Sequence, residues 1–255
     1  MTAPLFSGVG VALVTIFDSA GDVDAAATAD LARQLVDLGV RAILVAGTTG
    51  EASTLEPVER ARLVAAVKEA VPAGVPVLAG SGASSARQAV SLTKTVIDAG
   101  ADAVLALAPA QVSDTQPYYE ALAAAAGHAA LLAYHFPAVS MPGIPTSVLP
   151  ALPIAGLKDS SGDPARLYEE ADILAGWIYT GSPNLALLAG SIGCAGAILA
   201  IANSHPETAL EAFAGDGDAQ RRLAAASRRS SQPWPQALKA QVEARFGVSA
   251  QSRLG

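Results

Sequence analysis

Gly39-Val-Arg-Ala-Ile-Leu-Val-Ala46 sets a glycine, suited to the left-handed residue that ends a helix, a few residues ahead of a short apolar run. The same form returns at Gly100-Ala-Asp-Ala-Val-Leu105 and at Gly193-Cys-Ala-Gly-Ala-Ile-Leu199. Each reads as a joint where a helix hands the chain to a buried strand. Working outward from these joints, apolar runs lie at 11–15, 42–46, 75–79, 103–107, 129–134, 154–158, 177–180 and 197–201. Helical patterns separate several of them, at 24–38, after the Glu56-Pro57 start with Glu59 in its first turn, at 85–98 and at 118–126. Strand and helix in alternation predict parallel βαβ units, and eight of them predict a (β/α)8 TIM barrel over residues 1–215. Residues 216–255 are then a short C-terminal helical extension packed on the barrel. A doubly wound open sheet is the alternative, but no run leads into a Gly-x-Gly-x-x-Gly turn.

The 255 residues are 51% hydrophobic and 15% charged, enough to bury a large core. A net charge of -7 repels a phosphate backbone, so nucleic acid is not an expected partner. The apolar excess is alanine scattered along the chain, not an unbroken span of about 20 apolar residues, so no membrane association is expected. The start, Met1-Thr2-Ala3-Pro4-Leu5-Phe6, lacks the basic segment of a signal peptide, and Cys194 is the sole cysteine. A cytoplasmic protein is expected. One cysteine and three histidines without ligand spacing give no reason to expect a metal or another cofactor.

In a barrel, chemistry gathers where strands end. Of four lysines, Lys68, Lys94 and Lys239 fall within helical patterns and read as solvated, whereas Lys158 closes a strand and would point into the barrel mouth. Apolar surroundings lower an amine's pKa, and a neutral amine attacks carbonyls to form a Schiff base. The alternative is an ordinary rim salt bridge to Asp159 or Asp163. Tyr134 ends the neighbouring strand and reads either as a proton relay for Lys158, its acidity raised by a nearby cation, or as a rim aromatic. Gly47-Thr-Thr-Gly-Glu51 reads either as a carboxylate cradle built from Thr48, Thr49 and backbone N–H groups or as a helix cap. Gly181 and Ser182 follow the seventh strand, and Ile198 lies in the eighth. His135 alternates to the face opposite Tyr134 and reads as packed or solvated, Cys194 as a small buried hydrophobe, and the Arg221-Arg222 and Arg228-Arg229 pairs as solvated faces or subunit contacts.

Gly47-Thr-Thr-Gly-Glu51, Tyr134-x-x-Pro137 and Gly156-Leu-Lys158-Asp-Ser-Ser-Gly-Asp163 together resemble the dihydrodipicolinate synthase/N-acetylneuraminate lyase family, and Pro235-Gln-Ala-Leu-Lys239 resembles its C-terminal helix. The resemblance implies a class I, Schiff-base lyase or aldolase that makes or breaks a C–C bond with pyruvate or another 2-oxo acid. It implies a homo-oligomer, a tetramer or a dimer. It makes Lys158 the nucleophile, Tyr134 with Thr49 the proton relay, and Thr48, Thr49 and Gly47 carboxylate contacts. Ile198 matches a position that touches substrate through its backbone, and Gly181 and Ser182 join the substrate-binding set.

Departures bear on the substrate. Dihydrodipicolinate synthases carry a second tyrosine where this chain reads Ala108-Pro-Ala-Gln111, and an arginine for a second carboxylate where it reads Ala138-Val139. Gln111 and Val139 therefore disfavour that activity. Ser140-Met141-Pro142-Gly143 and Ile16 also depart from common family residues. A dehydratase acting on a 2-oxo sugar acid through the same lysine, and a non-catalytic 2-oxo-acid sensor, are the alternatives.

Overall fold

The structure is a computed structural model that describes residues 3–254. Met1 and Thr2 of the start read above, and Gly255, lie outside the described residues. Eight parallel strands form a closed barrel in chain order: β1 Gly8–Ala12, β2 Ile43–Val45, β3 Val77–Gly80, β4 Ala103–Leu107, β5 Ala130–His135, β6 Gly156–Asp159, β7 Trp177–Thr180 and β8 Gly196–Leu199. The pairing of β1 with β8 closes the ring and excludes the open sheet. Outside it run α1 Ala25–Asp37, α2 Pro57–Ala70, α3 Ala86–Asp98, α4 Gln116–Ala126, α5 Pro164–Ile173, α6 Ala186–Ser191 and α7 Pro206–Phe213, followed by α8 Gly217–Arg229 and α9 Gln236–Phe246. Among the described residues no helix is long and apolar enough to cross a membrane.

The joints behave as their glycines require. Gly39, Gly100 and Gly193 have φ of 101°, 101° and 81° after α1, α3 and α6, a region that costs a side chain its usual backbone freedom. Helix starts are equally local: Asp24 accepts from Ala27 N and Ser85 from Gln88 N, and Glu59 accepts from Glu56 N at 2.9 Å. One expectation needs correction. The first strand lies at Gly8–Ala12, not 11–15, because beyond Leu13, whose N–H still donates to Leu44 O of β2, the backbone turns to side-chain partners: Val14 N donates to Asn203 and Ile16 N to Thr28. The fifth unit returns through a 3-10 turn at Thr146–Ala151, containing Pro150, where the others have α-helices.

Alternation along the strands sorts the apolar residues into two sets. Val9, Val11, Ile43, Val45, Val104 and Leu157 face the helices. Leu44, Leu78, Leu105, Leu132, Tyr134 and Ile198 fill the barrel interior. Phe6 stoppers the end where the strands begin: its ring stacks on buried Tyr179 at 4.6 Å, and the Tyr179 hydroxyl donates to Phe6 O at 3.0 Å. The floor beneath the opposite mouth is therefore packed. Phe6→Ala should cost about 3 kcal/mol of stability, read by urea unfolding, because it opens a hole that the closed ring is too stiff to fill. Unchanged stability would show that Phe6 is not part of the core.

Candidate active site

β5 and β6 are hydrogen-bonded neighbours, and their register sets Tyr134 beside Lys158. Lys158 is 4% exposed, and its Nζ lies 4.4 Å from the centroid of the Tyr134 ring. Burial, with no charged partner contributing, brings the amine down to about 7. The rim salt bridge does not form. Asp159 points to the other face of β6, where it accepts from Arg166 Nε at 3.1 Å, and Asp163 caps α5 through Ala165 N. Buried Glu170 joins Arg166 at 2.7 Å, and burial, then the charge of Asp159, pushes its carboxyl up to about 9. Strand alternation thus segregates an uncompensated amine from a cluster of charges one residue away.

Tyr134 is 5% exposed and stacks on Phe136. Its hydroxyl accepts from Ser160 Oγ at 3.3 Å and is hydrogen-bonded to Thr48. Burial outweighs both bonds and raises it to about 12. The expected gain in acidity is absent because the neighbouring amine, itself desolvated, supplies little positive charge. Ser160 was not singled out from the sequence. Its signal was the period of two from Lys158, which puts both on one side of the extended chain. Gly181 earns its place by space: a Cβ there would sit 2.9 Å from Lys158 Cε and collide with Ser160 Oγ.

The Gly47–Glu51 segment is a tight turn. Gly50 N and Ala52 N donate to Gly47 O, Glu51 N donates to Thr48 O, and Thr15 Oγ1 clamps Gly50 O at 2.7 Å. The amides of Thr48 and Thr49 stand outside these bonds. Thr48 reaches Tyr134, whereas Thr49 is 6% exposed beside it in the turn. Ile198 is buried in the same interior cluster as Tyr134, and buried Ser182 donates its N–H to Thr180 Oγ1. Thr48, the unforeseen Ser160 and Lys158 thus each reach Tyr134, and Gly181 lies against Lys158 and Ser160. Thr49, Gly47, Ile198 and Ser182 frame them.

Other sequence expectations divide. His135 is packed, its Nδ1 accepting from Ile144 N at 2.9 Å, and burial followed by Arg166 lowers it to about 4. Half-buried Cys194 has its thiol pushed up to about 11 by burial. Lys239, expected to be solvated, is instead 1% exposed and paired with Glu51 at 2.5 Å, because α9 lies against the turn and not in solvent. Lys68 is also paired, with Asp102 at 2.6 Å. A cleft of about 680 Å³ opens beside Thr48, with Gln88, Val139 and Ser140 on its walls. Arg60 is the cation among its lining residues, and its guanidinium is 6% exposed and already donates to Gly80 O and Ala52 O.

Residues 5–249 match the profile of the dihydrodipicolinate synthetase family. A protein of Halobacterium salinarum described as an uncharacterized DapA-like lyase is 36% identical over 236 residues, covering 85% of this chain and 75% of its own. The 4-hydroxy-tetrahydrodipicolinate synthase of Salinibacter ruber is 34% identical over 215 residues, covering 79% and 70%. Among solved structures, dihydrodipicolinate synthase DapA-2 of Bacillus anthracis superposes with a TM-score of 0.90 at 27% identity, over 98% of this chain and 92% of that one. The Acinetobacter baumannii synthase, solved with pyruvate, gives 0.87 at 27% over the same shares. With profile, sequence and barrel in agreement, the chain belongs to the dihydrodipicolinate synthetase family and is an enzyme of the lyase class.

Proposed function

We propose that the chain is a class I lyase that cleaves or forms a C–C bond adjacent to pyruvate or a related 2-oxo acid, with Lys158 as the imine-forming amine. The observation that carries this is the Lys158 amine itself, buried, free of a counter-charge and brought to about 7. A neutral amine is a nucleophile at neutral pH, whereas an exposed lysine spends nearly all its time protonated. The nitrogen adds to the C2 carbonyl to give a carbinolamine, water leaves, and the protonated imine accepts the electron pair of the breaking C–C bond.

Each proton in that sequence needs a carrier. Tyr134 stays a phenol at neutral pH, so it passes protons by concerted exchange with its hydroxyl partners Ser160 and Thr48 and not as a standing phenolate. Thr49 serves the same relay. The amides and hydroxyls of Thr48 and Thr49, with Gly47 opening the turn, hold the substrate carboxylate. The Ile198 backbone and the Gly181-Ser182 turn bound the other side of the substrate. On the acceptor side, half-exposed Val139 and the Ala108-Pro-Ala-Gln111 loop present no cation, and Arg60 is committed to backbone carbonyls. A substrate with a second carboxylate, such as aspartate semialdehyde, is accordingly a poor fit.

Borohydride reduction in the presence of pyruvate should modify Lys158, identified by peptide mapping, and the rate of trapping should rise with pH to about 7 and level off above it. Labelling elsewhere, or none, overturns the assignment. Lys158→Met should abolish trapping and also stabilise the chain. Its folded pKa is depressed, so the unfolded chain binds the extra proton between about 7 and 10.5. The gain in urea stability, on the order of 2–4 kcal/mol, should be full below pH 7 and shrink as pH climbs toward 10.5. Condensation of pyruvate with aspartate semialdehyde should be absent or very weak, and robust turnover of that pair would refute the acceptor assignment. Pyruvate release from 2-oxo sugar acids supports the lyase, whereas water loss without pyruvate would make the enzyme a dehydratase.

A further inference from the structure

Glu51 ends the Gly47–Glu51 turn in a left-handed conformation, φ 56°, that a glutamate does not adopt unaided, and it is fully buried. What holds it there comes from about 200 residues further along the chain. One carboxylate oxygen pairs with Lys239 Nζ on α9. The other accepts from Ser252 Oγ at 2.9 Å, Arg253 N at 2.8 Å and Leu254 N at 3.0 Å. Lys239 also donates to Gln251 O at 2.6 Å, so one ammonium ties the turn and the segment together.

Arg253 closes a second clasp over the same place. Its guanidinium takes both oxygens of Glu59 on α2, at 2.9 and 2.6 Å, and donates to Thr54 O at 3.0 Å and Gly21 O at 2.7 Å. The Phe17 ring lies under both cations, 4.4 Å from Lys239 Nζ and 4.7 Å from the guanidinium carbon. Glu59 is held below the usual carboxylate range, first by its hydrogen bonds to Arg253. Leu254, next along, lines the cleft that Thr48 also lines. The C-terminal segment 251–254 is thus a strap that holds the turn through Glu51 and, by way of Arg253, the chain at Gly21, Thr54 and Glu59, and none of its hydrogen bonds goes to Thr48 or Thr49.

On the footing of Lys158 as the imine-forming amine and of this turn as the carboxylate cradle, we propose that Arg253 and Lys239, acting through Glu51 and Glu59, are positioning residues that hold Thr48 and Thr49 for the substrate carboxylate. None of the four touches the reacting atoms. Their effect passes through the turn, whose backbone bonds to Gly47 O and Thr48 O are too local to fix where it sits against Lys158. Loosening the strap should therefore weaken substrate capture while sparing the amine.

The test is pyruvate titration of borohydride trapping on the full chain, with thermal midpoints measured in parallel. Arg253→Ala removes the more accessible clasp, and the pyruvate concentration for half-maximal trapping should rise roughly ten-fold. The trapped fraction at saturating pyruvate and its location at Lys158 should be unchanged. Arg253→Lys, which keeps a cation near Glu59 without the two-pronged geometry, should fall between the two. Should Arg253→Ala fail to fold, the paired substitution Glu51→Gln with Lys239→Met, which removes both buried charges at similar volume, should show the same shift. An unchanged half-saturation, or a lower thermal midpoint with a smaller trapped fraction and no shift, would overturn the strap's role. Failure of the unaltered chain to trap pyruvate at Lys158 would instead overturn the imine reading and the positioning role with it.

Discussion

An amine kept out of water without a counter-charge is the constraint around which this barrel is arranged. Taking an ammonium into an apolar interior is unfavourable by several kcal/mol, and Lys158 meets that penalty by giving up its proton at neutral pH. Among the described residues no counter-charge stands beside the nitrogen, and the Tyr134 ring face offers a cation too little to offset its burial. The centre of the Tyr134 ring lies 4.4 Å from the nitrogen and the bare Cα of Gly181 leaves the lysine side chain room, while Asp159 is turned to the outer face of β6, where Arg166 of α5 meets it. A single-residue slip of β6 would exchange Lys158 with Asp159 and place a carboxylate at the mouth instead.

The barrel supplies the stiffness that such an arrangement needs. Parallel pairing is continuous around the ring, so β5, β6 and β7 cannot shift singly without breaking neighbouring ladders. The register places Tyr134, Lys158 and Tyr179 at successive positions across those three strands. Tyr179 in turn is anchored by Phe6, so the floor of the site is tied to a segment that precedes the first strand.

Much of this was legible from local chemistry. The joints at Gly39, Gly100 and Gly193 announced helix ends followed by strands, and the predicted strands at 103–107 and 177–180 match β4 and β7. That Lys158 and Tyr134 sit on neighbouring strands followed from strand order, while their roles were left open by the residues and came only with the family resemblance. Less was legible where a residue's fate depends on a distant partner. The predicted strand ran to Thr15, but Asn203 claims Val14 and Thr28 claims the neighbouring Ile16, and Lys239 reads as solvated until α9 is laid against Glu51. Asn203 lies 189 residues from Val14 and Glu51 is as remote from Lys239, so no periodicity could announce either pairing. Ser160 lies between these cases, carried by the period of two yet passed over because serine after lysine is unremarkable in composition.

The Phe6 stopper has a consequence for traffic. With Phe6 and Tyr179 packed at the strand-start end, that end offers no passage among the described residues, and molecules that enter and leave by the mouth share it. On the reading of Lys158 as the imine-forming amine, a product that lingers at the mouth stands in the way of its own replacement.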